Sequence, residues 1–420
     1  MTRDCYDNYT RILRSELIPA MGCTEPIAVA LAAARAREVL GCLPEKIVAR
    51  CSGNIIKNVK SVTVPNSGGE HGIAAAAILG AVAGKAELDL QVISQVSDEE
   101  ITLTKELLKK GICRCELEEG QENLYVLITV YAGDDSASVE LKNKHDHISR
   151  ITKNGKVIFE QPEVKTAVKG DKSQLNLRDI LEYADTVDLD EVRDLLETQI
   201  SYNSAISEEG LKNEWGAGVG RTILDAEGTG TLQRARAAAA AGSDARMNGC
   251  PLPVVINSGS GNQGITCTMP VLVYAKELGC SHEKLLRALL LSNLISLHQK
   301  RFIGNLSAYC GAVSAGTGAA CGIAYLQGAD YDTIGRTIIN SIGTTGGIIC
   351  DGAKSSCASK ISAAVEAGVL GYEMAKRGEY FHDGEGIVSE DYEKTIRNIG
   401  CVGRDGMRST DVTILNLMIS

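Results

Sequence analysis

The chain has 420 residues, a formal net charge of −10 at pH 7 and 4% aromatic residues. The length favours two domains, and an acidic balance without a clustered basic stripe argues against nucleic acid as a partner. The first residues lack the apolar run of a signal peptide, and no stretch reaches about 18 uninterrupted apolar residues. A cytoplasmic protein without a membrane span is therefore expected. The 14 cysteines are too irregularly spaced for a disulfide framework.

The predicted elements begin with helix over residues 8–43, broken near Pro19 and restarting at Thr24. A small polar residue followed by an acidic residue and a proline is typical of a helix start. That places Cys23 at or just before a helix N-terminus. The partial positive charge there is expected to lower the pKa of the thiol and favour the thiolate.

Further along, residues 47–64 indicate strand, turn, short helix and strand, and residues 73–83 indicate an Ala-rich helix. Residues 88–161 alternate in strand fashion around one amphipathic helix near 97–110, which predicts a compact α+β unit. A polar linker over residues 162–177 follows, and the pattern is then helical and Ala-rich to the end.

We therefore predict the α+β class, with a mainly helical, Ala- and Gly-rich catalytic domain formed by residues 1–87 and 170–420. A small α+β domain, residues 88–169, is inserted into it. Glycine clusters are expected to interrupt the helical part and to present loops to a central site. These clusters lie at residues 217–230, 258–264, 311–322 and 343–352.

Three cysteines stand in stretches rich in Gly, Ala, Ser and Thr: Cys310, Cys350 and Cys357. Three thiolates from three bends can hold an iron–sulfur cubane and leave its fourth iron open as a Lewis acid. The spacing alone is a weak pattern, and three buried thiols in tight packing would also explain it. Cys321 is more easily read as core, whereas Cys267 stays open as a substitute ligand.

The segment Gly-Cys-Thr-Glu-Pro around Cys23, together with residues 52–58 and 65–69, resembles the L-cysteine desulfidase family, which is related to the iron–sulfur L-serine dehydratases. The resemblance covers nearly the whole chain. It implies a [4Fe-4S] cluster with one open iron on Cys310, Cys350 and Cys357, and a functional cysteine at position 23. In the serine dehydratases the last two ligands are more widely spaced, so the shorter spacing here favours the desulfidase side.

A reaction scheme follows from this resemblance. Cys23 would remove the α-proton of L-cysteine, and sulfide would leave on the open iron to give pyruvate and ammonia. Thr24 and Glu25 would contact the substrate ammonium or simply cap the helix. Hydroxyl, amide and ammonium donors downstream suit the substrate carboxylate, with Lys57 as countercharge. They are Ser52, Asn54, Lys57, Asn58, Asn66 and Ser67, and an ordinary strand and polar turn would explain them equally well.

Alternatives remain at this point. L-Serine is the competing substrate, and the glycine loop at 257–264 with Lys57 would suit a pyridoxal phosphate lyase. A non-enzymatic cluster sensor is a different class of answer. His71 is a second candidate proton carrier, while His145 and His147 are expected to be solvated. An Ala- and Gly-rich helical surface also fits a homodimer.

Overall fold

The computed structural model describes residues 1–121, 124–161, 169–304 and 306–419. The polar linker predicted over residues 162–177 falls partly outside this description, at residues 162–168. The α+β class and the mainly helical composition are confirmed.

Helices dominate the described part of the chain. They are α1 (Arg3–Glu16), α2 (Thr24–Leu40), α3 (Gly53–Val59), α4 (Gly72–Ala83), α5 (Asp98–Lys110), α6 (Leu177–Thr186), α7 (Arg193–Lys212), α8 (Val219–Glu227), α9 (Thr231–Met247), α10 (Gly261–Glu277), α11 (His282–Ile303), α12 (Gly311–Leu326), α13 (Tyr331–Thr345), α14 (Cys357–Ala375), α15 (Tyr392–Cys401) and α16 (Arg408–Ile419). The strands are β1 (Pro19–Met21), β2 (Lys46–Cys51), β3 (Cys113–Leu117), β4 (Tyr125–Ala132), β5 (Asp135–Lys142), β6 (Ile148–Lys153), β7 (Lys156–Glu160) and β8 (Pro253–Val255).

The larger sheet has the strand order β3-β2-β4-β5-β6-β7. Strand β2 pairs parallel with β3 and antiparallel with β4, and its residues Ile47, Ala49 and Cys51 alternate into the core. The inserted unit predicted over 88–169 thus shares its sheet with a strand from residues 46–51. The predicted domain boundaries stay a prediction. The second strand expected before residue 64 is an isolated bridge in the structure.

Helices α2 and α4 are buried on nearly every side, because they pack against each other and both contact the larger sheet, α2 at β4 and β5 and α4 at β2 and β3. Small residues allow the approach: a Cβ added to Gly80 would lie 2.3 Å from the carbonyl oxygen of Ala30. Within the described ranges, no helix combines the length and the apolar character needed to cross a membrane.

Helix α12 runs without interruption through residues 311–322, where the glycine cluster was expected to break it. Its glycines serve close packing instead. A Cβ on Gly318 would lie 2.4 Å from the carbonyl oxygen of Ser292 in α11, and one on Gly316 would lie 2.8 Å from the backbone of Ala364 in α14. The prediction for this cluster was wrong because a glycine in the sequence is equally compatible with a backbone bend and with the close approach of another backbone.

Candidate active site

One cavity is lined by Cys310, Cys350 and Cys357 together with Cys23 and Glu25. Helices α2, α10, α12 and α14 all begin at this cavity. Helix N-termini carry partial positive charge and unsatisfied backbone N–H groups, so their convergence favours a negatively charged occupant.

The three clustered cysteines are held by short backbone segments. Hydrogen bonds run from Cys310 N to Ile348 O (2.9 Å) and from Cys350 N to Ala308 O (2.6 Å), so the two segments pair like a fragment of sheet. Cys357 begins α14, and its sulfur lies 3.7 Å from the carbonyl oxygen of the loop residue Gly352. These bonds fix the backbone that carries all three sulfurs.

The donor set is compatible with an iron–sulfur cluster, since three thiols line one cavity. Within the described residues, no three His, Cys, Asp or Glu side chains come close enough together to hold one metal ion. A cubane presents a separate iron to each thiolate, so ligands spread around a cavity suit it. Burial, followed by repulsion from Cys350, raises the pKa of Cys310 to about 12, and burial raises that of Cys357. Iron binding would replace the protons on these sulfurs.

A buried cation accompanies the cysteines. Lys300 of α11 lines the cavity at 3% exposure, and burial lowers its pKa to about 8, although the sulfurs of Cys350 and Cys310 act in the opposite direction. A positive charge at this point favours thiolates over thiols.

Cys23 donates from Sγ to Glu25 Oε2 at 3.0 Å. Burial, and next the charge of Glu25, raises the pKa of Cys23 well above its ordinary value. The predicted lowering was wrong, since the helix start that supplies partial positive charge also brings a carboxylate against the sulfur. Glu25 Oε1 accepts from Asn58 Nδ2 at 3.0 Å, and Thr24 Oγ1 donates to Gly259 O at 2.8 Å.

Glu25 is an ionised carboxylate in an almost closed environment. Burial acts to raise its pKa, but the nearby His145 ring, the hydrogen bond from Cys23 and the charge of Arg246 outweigh that effect and lower it to about 2. His145 Nε2 lies 3.9 Å from Glu25 Oε1. The expectation that His145 and His147 are solvated was wrong, because both rings are buried where their loop folds against the helical part.

The cavity wall also carries polar atoms that have no hydrogen-bond partner among the described residues. They are Arg246 Nε, Asn58 Oδ1, Gln263 Oε1 and Tyr309 OH. Unpaired buried polar atoms are costly, so their concentration at one cavity indicates a polar ligand. Arg246 is 2% exposed and holds its orientation through Nη1 to Asn262 Oδ1 at 3.2 Å. Sequence reasoning missed Arg246. Its signal in the sequence is a charged residue within an Ala-rich helical segment.

Lys57 does not line this cavity. Its Nζ forms an ion pair with Asp411 at 2.5 Å and donates to the carbonyl oxygen of Cys350 at 3.2 Å. Ser52 and Asn54 lie with it in a separate groove beside α16. Helix α3 therefore divides its polar side chains, and Asn58 is the member that faces the cysteines.

The predicted residues Asn66 and Ser67 hold a turn outside the cavity lining. Asn66 Nδ2 donates to Ile93 O at 2.9 Å, and Ser67 Oγ donates to Val64 O at 2.7 Å. His71 is exposed and hydrogen-bonds Thr63. Their contacts are those of an ordinary polar turn.

The remaining candidate ligands lie in the core. Cys267 in α10 and Cys321 in α12 are both fully buried, and burial raises the pKa of Cys267 to about 12 and that of Cys321 further. Neither lines the cavity that holds Cys310, as described by the structure.

Residues 87–416 match the family of the serine dehydratase alpha chain. The chain belongs to this family. The serine dehydratase alpha chain family is iron–sulfur dependent, so the relationship that the motifs predicted is confirmed. Full-length relatives include the UPF0597 proteins of Finegoldia magna, 53% identical over 98% of this chain and 99% of the relative, and of Desulfitobacterium hafniense, 49% identical over 99% and 97%. A third, from Lachnoclostridium phytofermentans, is 48% identical over 99% and 100%.

Proposed function

We propose that this protein is an iron–sulfur L-cysteine desulfidase, a lyase that converts L-cysteine and water to pyruvate, ammonium and hydrogen sulfide. The observation that carries the proposal is the cavity itself. It joins Cys310, Cys350 and Cys357 to Cys23, Glu25 and unpaired polar atoms suited to an amino acid.

The cofactor part of the proposal concerns the three clustered cysteines. Cys310, Cys350 and Cys357 would hold a [4Fe-4S] cluster, which when bound supplies an open iron as a Lewis acid for the β-substituent. Lys300 and the starts of α12 and α14 place positive charge beside these ligands. Such charge offsets the thiolates that the cluster requires.

The substrate carboxylate would bind Arg246. A guanidinium offers parallel N–H donors to a carboxylate, and the Nε of Arg246 has no partner within the described chain. This replaces the carboxylate role expected for Lys57, whose charge is taken up by Asp411. Gln263 and Asn58 lie at the same cavity and would orient the rest of the amino acid.

Glu25 and Cys23 would handle the ammonium group and the α-proton. An ionised, buried carboxylate attracts the substrate ammonium, and Asn58 fixes its orientation. Cys23 would take the α-proton on Sγ as its C–H bond breaks. Cys23 would act in its thiolate form, and its hydrogen-bonding position 3.0 Å from Glu25 Oε2 would keep the sulfur beside the carboxylate that meets the ammonium group.

L-Serine dehydration is the second candidate, and the family relationship favours it. Hydroxide would replace sulfide as the leaving group, with the same contacts to the carboxylate and ammonium groups. A pyridoxal phosphate enzyme built on Lys57 is not supported, because that amine is buried and ion-paired away from the cavity.

The test is iron and acid-labile sulfide per chain after anaerobic purification, with sulfide and pyruvate release from L-cysteine and L-serine measured on the same sample. We expect about four iron and four sulfide per chain and faster turnover of L-cysteine. Faster turnover of L-serine would make the protein a dehydratase, and iron-free protein that still eliminates would refute the cluster.

Two substitutions with a matched control separate the roles. Cys310→Ser is expected to lose iron, whereas Cys321→Ser, a buried position in helix α12, which begins directly after Cys310, retains it. Cys23→Ser is expected to retain iron and lose turnover by about 10²–10⁴-fold, the range for a removed acid–base group. Wild-type turnover in Cys23→Ser would exclude Cys23 as the base.

A further inference from the structure

We infer that Lys57 is a positioning residue that ties the C-terminal helix α16 to the cluster-binding loop around Cys350. This inference rests on the cluster of the proposed function. It concerns how firmly the loop holds iron, and it is independent of which amino acid is the substrate.

The Lys57 side chain is 1% exposed and joins two parts of the chain that are distant in sequence. Its Nζ donates to the carbonyl oxygen of Cys350 at 3.2 Å and pairs with Asp411 Oδ1 of α16 at 2.5 Å. An ammonium group is rarely buried unless its charge is compensated. The carboxylate of Asp411 is therefore what allows a lysine to stand behind a cluster cysteine.

The backbone of the same residue also contacts the loop. Gly352 has φ +95°, and a Cβ there would lie 2.4 Å from the carbonyl oxygen of Lys57. The loop thus packs directly on α3, and a left-handed glycine makes that approach feasible. Lys57 touches the loop on both sides of Asp351, through its side chain at Cys350 and through its main chain at Gly352.

Helix α16 in turn rests on α3. A Cβ added to Gly53 would lie only 2.4 Å from the side chain of Leu415, so the two helices are in close contact. Lys60 Nζ also donates to the carbonyl oxygen of Met418. Lys57 connects α16 to the cluster-binding loop, because it pairs with Asp411 of α16 and donates to the carbonyl oxygen of Cys350.

Two physical consequences follow for a bound cluster. A hydrogen bond to the Cys350 carbonyl fixes the peptide that aims its sulfur, as partners of metal ligands generally do. The ion pair with Asp411 also holds the ammonium at that carbonyl, so the loss of either partner would free the peptide. Loss of Lys57 should loosen iron binding before it affects the fold as a whole.

The experiment measures iron per chain and the rate of iron loss to a chelator, followed by the visible absorption of the cluster in the anaerobic holoprotein. Lys57→Met is expected to lose iron about 10–100-fold faster than wild type, the range for partners of metal ligands. Lys57→Arg keeps the charge and should recover part of the difference. Lys60→Met is the matched control, since Lys60, the residue directly after α3, contacts α16 through Met418.

If Lys57→Met does not fold, Asp411→Asn provides the second measurement, because it keeps the amine and removes only its countercharge. Thermal unfolding of each variant reports on the fold. Wild-type iron loss in both Lys57→Met and Asp411→Asn would overturn the inference, as would equal acceleration in Lys60→Met. Iron retained by wild type without sulfide release would instead refute the desulfidase function and leave the role of Lys57 standing, and wild-type protein that binds no iron would refute both.

Discussion

Replacing Glu25 by glutamine tests the electrostatic arrangement of the cavity quantitatively. The substitution keeps the shape of the side chain and removes the charge to which Cys23 donates and which His145 and Arg246 face. The ordinary pKa of Glu25 is 4.5, and its surroundings lower it to about 2. At about 1.36 kcal/mol for each unit of pKa, the difference corresponds to about 3 kcal/mol.

The sign of the effect follows from the direction of the pKa change. Because the folded-state pKa of Glu25 is depressed, its contribution is fully present above about pH 4.5 and is lost as the pH falls towards 2. Wild type should therefore exceed Glu25→Gln in free energy of unfolding by up to about 3 kcal/mol at neutral pH. The difference should shrink as the pH falls below 4.5.

The assay is urea unfolding of the iron-free chain at a series of pH values, with the difference between the two proteins taken at each pH. Glu106→Gln, an exposed carboxylate on α5, is the matched control and should change the free energy by less than about 0.5 kcal/mol. A difference between wild type and Glu25→Gln that is absent at neutral pH, or that does not shrink on acidification, would refute the reasoning.

Two further predictions concern binding and packing. Arg246→Gln removes the charged donor assigned to the substrate carboxylate and should raise KM about 10–100-fold, since a hydrogen bond to a charged group contributes about 1.5–3 kcal/mol; an unchanged KM with normal iron content would contradict that role. Gly318→Ala places a methyl group where the carbonyl oxygen of Ser292 lies 2.4 Å away, and it should reduce stability by about 1–3 kcal/mol in denaturant unfolding. An unaltered unfolding midpoint would show that α11 and α12 separate without cost.

Local signals predicted those elements whose causes are local. Helix α5 is an example, because Ser97 caps it and Glu100 completes the capping box within one turn. The place of β2 was not predictable in the same way. Its alternation indicates a strand, but its pairing with β3 joins residues 46–51 to residues 113–117, and strand periodicity carries no information on such distant partners.

The candidate site likewise contains some residues that the sequence could identify and others that it could not. The three clustered cysteines and Cys23 could be singled out from the 14 by the small-residue stretches and the Gly-Cys-Thr-Glu-Pro segment around them, and the fold brings them to one cavity. Arg246 and Lys300 could not be singled out from the sequence, because each lies in a helix without a motif and is distinguished only by its burial in the structure. Lys57 was placed in the substrate site by its neighbours in sequence, whereas helix α3 turns it to the opposite side from Asn58.

The charges around the cavity explain why two buried cations and a buried carboxylate occur together. Arg246 and Lys300 are the cations that line it, and Glu25 is the one acidic side chain in the lining as far as the chain is described. An L-amino acid with its carboxylate at Arg246 would place its ammonium group at Glu25, leaving its β-substituent for the cysteine-lined end near Lys300. Substrate and cofactor would then each meet an opposite charge. The arrangement therefore favours a zwitterionic substrate beside an anionic cluster over an apolar or cationic ligand.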